Sequence, residues 1–127
     1  IKPDDIEIKG FLNEEEIINL YSQSFCLVHP TYIDNSPNSV CEAQISGLPV
    51  IASDVGGVSS LIEHNKTGIL TDTQPQNIAN SILSLLEDDS LRINISENSR
   101  AVARERHDPD TILNDNLEMY RSIVKNA

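Results

Sequence analysis

Short apolar segments alternate with stretches of helical periodicity along the first seventy residues. Apolar runs bounded by turn residues predict strands at about 6–10, 25–29, 48–53 and 66–71. Periodic stretches predict helices at about 14–23, 37–46, 56–64, 75–87, 89–105 and 109–125. This alternation is typical of an α/β fold, with a parallel sheet of about four strands flanked by crossover helices and a helical C-terminal tail.

Capping signals predict the ends of the first two helices. Asn13 is placed to cap the first helix, whose first turn of three Glu residues suits a helix N-terminus. Ser36 is the predicted N-cap of the second helix, with Pro37 in its first turn, and Gly47 ends it.

Size and charge narrow the class of protein. The 127 residues suffice for one domain with its own core. Twenty Asp and Glu against nine Lys and Arg give a net charge of −11, which argues against nucleic acid or anionic membrane as a partner. Cys26 and Cys41 are predicted to be reduced core thiols. Four strands are fewer than a doubly wound sheet usually has, so we expect the second part of a larger domain.

The chain also lacks the signals of export and membrane insertion. No apolar run reaches the roughly 18 to 20 residues of a membrane span, and residues 1–5 do not begin a signal peptide. We therefore expect a cytoplasmic protein without a transmembrane segment, with peripheral attachment to the inner membrane face left open for the full-length protein.

The segment 30–43 carries the most informative chemistry. It places a buried strand, a loop with an acid and a helix N-terminus in series, the arrangement at which open α/β sheets bind ligands. Free N–H groups at the start of that helix favour a phosphate, and the carboxylates of Asp34 and Glu42 accept hydrogen bonds from sugar hydroxyls. Glu42 is predicted to reach sideways toward the ligand, while Val40 and Ile45 face the core. We expect Gly10 and the segments 29–31, 35–38 and 56–57 around the same cleft.

At these residues the chain resembles the C-terminal nucleotide-binding domain of retaining glycosyltransferases of GT-B family 4. The family pattern is an apolar strand, Pro-Ser, Glu, seven residues, Glu-Ala, then Gly-x-Pro-Val-Val-Ala and Gly-Gly. Here it stands as Pro30-Thr31, Asp34, seven residues, Glu42-Ala43, residues 47–52 and Gly56-Gly57. The resemblance covers nearly the whole chain, 1–127, and the combined order is highly specific.

The resemblance implies roles for particular residues. Glu42 matches the acid that bonds the ribose hydroxyls of a sugar nucleotide, and Asp34 matches the acid that contacts the transferred sugar. The family segment whose main chain holds the donor's sugar and phosphates matches Asn35, Ser36, Pro37, Asn38 and Ser39, and the region close to the base matches Gly10, Phe11 and Leu12. Two departures are visible. Asp34 replaces the usual Glu, and the acid that often follows Gly-Gly is replaced near Ser59-Ser60.

The resemblance also implies what lies outside these residues. The N-terminal acceptor domain and the start of this domain are expected to be absent, so the fragment alone is expected to be inactive. The full-length enzyme would transfer a sugar from an NDP-sugar donor to a glycan or lipid-linked acceptor, without a metal or other cofactor. Two other functions stay open: a non-catalytic binding or regulatory module that kept the fold, and, more distantly, another class of sugar-nucleotide enzyme such as an epimerase.

Three further features have mainly structural interpretations. The Asp108-Pro109-Asp110 run matches a metal-binding Asp-x-Asp element, but its position between two helices favours an N-cap. The three His residues lack metal-ligand spacing, although His29 at a strand end could line the cleft. The last helix carries an apolar stripe that a fragment cannot bury, which predicts self-association: Ile112, Leu113, Leu117, Tyr120, Ile123 and Val124.

Overall fold

The chain forms a parallel sheet between layers of helices. The computed structural model describes residue 2 and residues 5–125, so residues 1, 3, 4, 126 and 127 of the predicted domain lie outside the described residues. In chain order the elements are α1 (Glu14–Gln23), β1 (Leu27–His29), α2 (Asn38–Ser46), β2 (Val50–Ser53), a 3₁₀ turn (Val58–Ser60), β3 (Ile69–Thr71), α3 (Pro75–Glu87), α4 (Asp89–Arg106) and α5 (Pro109–Lys125). The predicted α/β class is confirmed.

The three strands lie in the order β1, β2, β3, and both pairings are parallel. Leu27 pairs with Val50, and Ile51 pairs with Ile69. Because the strands are parallel, their carboxyl ends share one edge of the sheet. The loops after β1 and β2 therefore start side by side.

The strand predicted at 6–10 is not formed, so the sheet of the described residues has three strands rather than about four. Ile6 and Ile8 are 62% and 90% exposed. A strand needs a neighbour for its backbone hydrogen bonds, and no strand of the described residues lies beside this segment. The alternation of Ile and polar residues indicated a strand, but its partner is not among the described residues.

The core consists of two clusters, one on each face of β2. Val50 and Ala52 face α2 in a cluster that also contains Val40 and Val58, whereas Ile51 packs with buried side chains beyond the other face of the sheet. All four residues of β2 are buried, as expected for a central parallel strand.

Val40 is fully buried as predicted, but Ile45 is partly exposed. Successive helical residues are about 100° apart, so positions five apart differ by about 140° and do not share a face. The prediction that Ile45 faces the core was wrong for this reason.

The predicted helix ends are confirmed at α1 and at the end of α2. Asn13 and Glu16 form a capping box at α1, and Gly47 ends α2 in the left-handed conformation, with φ 78°. The start of α2 differs from the prediction. Pro37 is the residue before the helix, and no side chain caps it. Ser36 instead donates its backbone N–H to Asp34 Oδ1, so it belongs to the loop.

A buried polar group holds the back of α2. Gln44 is 1% exposed, and its Nε2 donates to the carbonyl oxygens of Leu61, at 3.0 Å, and Thr67, at 3.2 Å. Its Oε1 accepts from Arg106 Nη2 at 2.7 Å. Both N–H groups of the amide and its oxygen are thus engaged, which is what burial of a polar side chain requires.

The last helix has no cover within the described chain. All residues of α5 are exposed, including the six apolar residues of the predicted stripe. The predicted exposure of this stripe is confirmed. Self-association through it stays a prediction.

Candidate functional site

The carboxyl edge of the sheet joins the ends of β1 and β2 through one hydroxyl group. Ser53 Oγ donates toward the carbonyl oxygens of His29, at 3.2 Å, and Thr31, at 2.6 Å. Ser53 is 1% exposed, so the contact lies beneath the edge. The backbone that follows β1 is therefore fixed next to the end of β2 where the loop before α2 begins.

Asp34 organises that loop. Its Oδ1 accepts the Ser36 N–H at 3.1 Å, and its Oδ2 lies 3.2 Å from His29 Nε2. Both side chains are partly buried, with 28% and 22% exposed. A carboxylate oxygen accepts more than one hydrogen bond, so Asp34 keeps acceptor capacity for a ligand. His29 lines this edge, as its position at a strand end predicted.

The Gly56-Gly57 turn lies directly against the same loop. Gly57 N–H donates to the Asp34 carbonyl at 3.1 Å. A Cβ at Gly57 would lie 2.1 Å from the Asn35 carbonyl oxygen, and one at Gly56 would lie 2.2 Å from that of Asp34. Gly56 also has φ 53°. Both positions therefore require glycine because main chain approaches main chain there.

The start of α2 follows this loop with its first-turn N–H groups uncapped by side chains. Such a terminus carries about half a positive charge and suits an anion. Asn38 and Glu42 are four residues apart, so they lie on one face of α2, about 6 Å apart along its axis. A group bound at the helix start and a group bound at Glu42 can therefore belong to one ligand.

Glu42 lies on the wall of a cleft of about 440 Å³ between α1 and α2. The cleft is lined by Glu14, Ile17, Ile18, Tyr21, Glu42, Ile45 and Ser46. Among these described residues there are two carboxylates and no Lys or Arg. The walls are otherwise largely apolar, so the cleft suits a flat or hydroxyl-bearing group better than a phosphate.

Tyr21 is the side chain of this cleft that sequence reasoning missed. Its hydroxyl lies 3.3 Å from Glu42 Oε2. Burial, and then the adjacent Glu42 carboxylate, raise the pKa of Tyr21 above its ordinary value of 10.0. The available signal was weak: Tyr21 lies four positions after Ile17, on the same face of α1. Nothing local indicated Glu42 as its partner.

The structure brings some of the predicted site residues together and leaves others apart. Residues 29–31, 34–35 and 56–57 meet at one edge, and residues 36–39 continue from it into α2. Glu42 lies one turn further along, in the cleft. Gly10 has no atom within 4 Å of the position of a Cβ, and Phe11 is 97% exposed. They and Leu12 precede α1, whose Glu14 lines the cleft. The assigned roles stay predictions.

The N-cap interpretation of Asp108 is confirmed, and His64 makes a backbone contact. Asp108 Oδ2 accepts from the Thr111 N–H at 2.9 Å and from the Thr111 hydroxyl at 2.7 Å, as an N-cap does. His64 Nδ1 accepts from Leu70 N–H at 3.1 Å. In residue 2 and residues 5–125, no group of three or more His, Cys, Asp or Glu side chains could hold a metal ion.

Family comparison places the chain among known proteins. Residues 2–102 match the family described as glycosyl transferases group 1, so the chain belongs to this family. Its fold is that of the GT-B glycosyltransferases. Within the described part of the chain, no helix is both long and apolar enough to cross a membrane.

Individual proteins similar to this chain agree with the family match. D-inositol 3-phosphate glycosyltransferase of Corynebacterium urealyticum is 31% identical over 110 residues, which are 86% of this chain and 26% of that protein. Sucrose-phosphate synthase from Thermosynechococcus elongatus superposes with a TM-score of 0.87 and 26% identity, over 98% of this chain and 32% of that one. Anabaena HepE in complex with UDP-glucose has a TM-score of 0.76 and 30% identity, over 84% and 30%. The chain thus spans about a quarter to a third of these proteins.

Proposed function

We propose that the chain is the nucleotide-sugar-binding part of a retaining glycosyltransferase of family 4. The whole enzyme would transfer a sugar from an NDP-sugar to a glycan or lipid-linked acceptor. One observation carries the proposal: the Glu42 carboxylate lies on the wall of the cleft, one helical turn from the uncapped start of α2. The similarity to HepE, whose structure was determined with UDP-glucose, supports it.

The proposed contacts follow from the charges. The ribose hydroxyls donate to Glu42, because a cleft with two carboxylates favours a neutral diol over a phosphate. The phosphates lie at the start of α2, where the N–H groups of Asn38 and Ser39 are the first of the helix. The transferred sugar lies toward Asp34, and the base lies near the residues 10–12.

The diphosphate needs cations, and three arginines of this chain are engaged elsewhere. Arg92 pairs with Asp89 at 2.7 Å, Arg100 donates to the Ser46 carbonyl, and Arg106 donates to Gln44. With a net charge of −11, the chain repels a diphosphate unless other residues neutralise it. We propose that the start of this domain, outside the 127 residues, supplies them, without a metal. An N-terminal domain would supply the acceptor site.

The test is a calorimetric titration of the full-length protein with UDP-glucose, UDP-N-acetylglucosamine and GDP-mannose. Glu42→Gln should weaken the preferred donor by about 1.5 to 3 kcal/mol, or roughly tenfold to 150-fold, because a charged hydrogen bond is lost. Glu97→Gln, at an exposed position of α4, is the matched control and should change nothing. Equal affinities of both variants and the unmodified protein would contradict the proposal.

Two further measurements separate the alternatives. Titration of the 127-residue chain alone should show no binding at micromolar concentrations, and tight binding would show that the chain holds its own phosphate-neutralising cations. A transfer assay on the full-length protein distinguishes an enzyme from a binding module. Donor binding with no transfer to any acceptor glycan or lipid would favour the module.

A further inference from the structure

Tyr21 connects the two helices that form the cleft. Its hydroxyl lies 3.3 Å from Glu42 Oε2, although the residues are 21 positions apart in the chain. Its ring packs against the buried cluster that contains Val40 and Ala43. The position of the hydroxyl is therefore fixed by the core, and the carboxylate that it contacts is the exposed partner.

We propose that Tyr21 is a positioning residue that holds the Glu42 carboxylate toward a vicinal diol and so sets a preference for ribonucleotides over 2′-deoxyribonucleotides. The inference rests on the proposed function, because it requires the ribose to face Glu42. It adds a residue of α1 to the ribose contact, which the family resemblance assigns to Glu42 alone.

The benefit of such a contact is conformational. A glutamate on an exposed helix face samples several rotamers, and ordering it when a ligand binds costs free energy. The Tyr21 hydroxyl uses one acceptor position of Oε2, and in residue 2 and residues 5–125 no other group donates to this carboxylate. The carboxylate is then oriented before the ligand arrives, so both hydroxyls of a diol can donate to it at once.

The phenol stays a donor under ordinary conditions. Its pKa is raised above 10.0 by burial and by the Glu42 carboxylate, so it is protonated at neutral pH. A protonated phenol beside an ionised carboxylate can only donate to it, which fixes the direction of the hydrogen bond. Deprotonation of Tyr21 would place two negative charges together and would release Glu42.

The experiment compares affinities of the full-length protein for UDP and 2′-deoxy-UDP, and for GDP and 2′-deoxy-GDP. The readout is the ratio of the ribo to the deoxy affinity, which a general loss of folded protein does not change. Tyr21→Phe keeps the ring in the core and removes only the hydroxyl. We expect it to lower the ratio by about threefold to tenfold.

Three variants complete the design. Ser22→Ala removes a hydroxyl from an exposed position of the same helix and should leave the ratio unchanged. Glu42→Gln should abolish most of the preference. In the Glu42→Gln background, Tyr21→Phe should have no further effect, because the two residues act as one unit.

The outcomes distinguish this inference from the proposed function. If Glu42→Gln lowers the ratio and Tyr21→Phe does not, or if Tyr21→Phe weakens both nucleotides equally, the inference is overturned and the proposed function stands. If the unmodified protein binds no nucleotide, or if Glu42→Gln leaves the ratio intact, both are overturned.

Discussion

The two ends of α2 differ in how the protein completes their hydrogen bonds. At the C-terminal end, Gly47 adopts φ 78°, Arg100 donates to the Ser46 carbonyl at 2.7 Å, and Ser96 donates to the Gly47 carbonyl at 2.6 Å. At the N-terminal end, Pro37 precedes the helix and no side chain caps it. The protein satisfies one end with its own α4 and leaves the other open at the carboxyl edge of the sheet.

Other helices show that an open start is not the general pattern of this chain. Asn13 caps α1, Asp88 caps α4, and Asp108 caps α5 through carboxylate or amide oxygens. The start of α3 is also uncapped, but Pro75 in its first turn removes one of the free N–H groups. The C-terminal end of α2 is therefore structural, whereas its N-terminal end can receive an anion.

The largest effect is expected from displacing the loop that leads into the open end. In Gly57→Ala the new Cβ would lie 2.1 Å from the Asn35 carbonyl oxygen, so the loop before α2 must move. We expect a loss of about 2 to 3 kcal/mol in unfolding free energy, together with loss of donor binding. Chemical denaturation and calorimetry measure the two effects.

A matched glycine substitution provides the control for stability. Gly10→Ala places its Cβ where no atom lies within 4 Å, and its unfolding free energy should equal that of the unmodified protein. A Gly57→Ala protein as stable as Gly10→Ala would show that the contact between the two loops does not hold the site.

A smaller effect is expected at the structural end. Gly47→Ala must adopt a left-handed conformation and move the Arg100 guanidinium, which lies 2.5 Å from the new Cβ. Since that side chain is flexible, the cost should be about 1 to 2 kcal/mol of stability. Donor affinity should be unchanged once the protein is folded. A selective loss of affinity would mean that the two ends of α2 are not independent.

Asp34→Asn tests the loop that connects the end of β1 to the open start of α2. The amide keeps an acceptor for the Ser36 N–H but weakens the contact with His29 and the proposed contact with the transferred sugar. We expect about 1 kcal/mol, roughly fivefold, in kcat with little change in donor affinity. Steady-state kinetics separate the two. A change in affinity alone would place Asp34 at the nucleotide instead.

The smallest effect concerns a capped helix start. Hydrogen bonds from the Thr111 hydroxyl and then the Thr111 N–H hold the pKa of Asp108 below its ordinary value of 3.8. Because the folded pKa is the lower one, this cap contributes stability above pH 3.8 and loses it as the pH falls through the folded pKa. Asp108→Asn should flatten that part of the acid unfolding curve measured by circular dichroism. An unchanged acid profile would contradict the cap.

Sequence reasoning succeeded at two helix ends, where the cause is local, and failed at a third, where Ser36 belongs to the loop and does not cap α2. The N-cap at Asn13 and the glycine end at Gly47 depend on neighbours within a few residues, and both are confirmed. It failed at 6–10, because a strand depends on a partner elsewhere. The contact of Tyr21 with Glu42 and the approach of Gly57 to the loop at Asn35 are tertiary. No spacing in the chain encodes them.

Gln44 has a consequence for the direction in which Glu42 points. The two residues are two positions apart, about 200° around the helix, so they project from opposite sides of α2. The three hydrogen bonds of Gln44 fix the rotation of α2 about its own axis. At a radius of about 6 Å, a rotation of 20° would displace the opposite carboxylate by about 2 Å. The angular setting of the side of α2 that carries Glu42 is thus determined by an amide buried behind it.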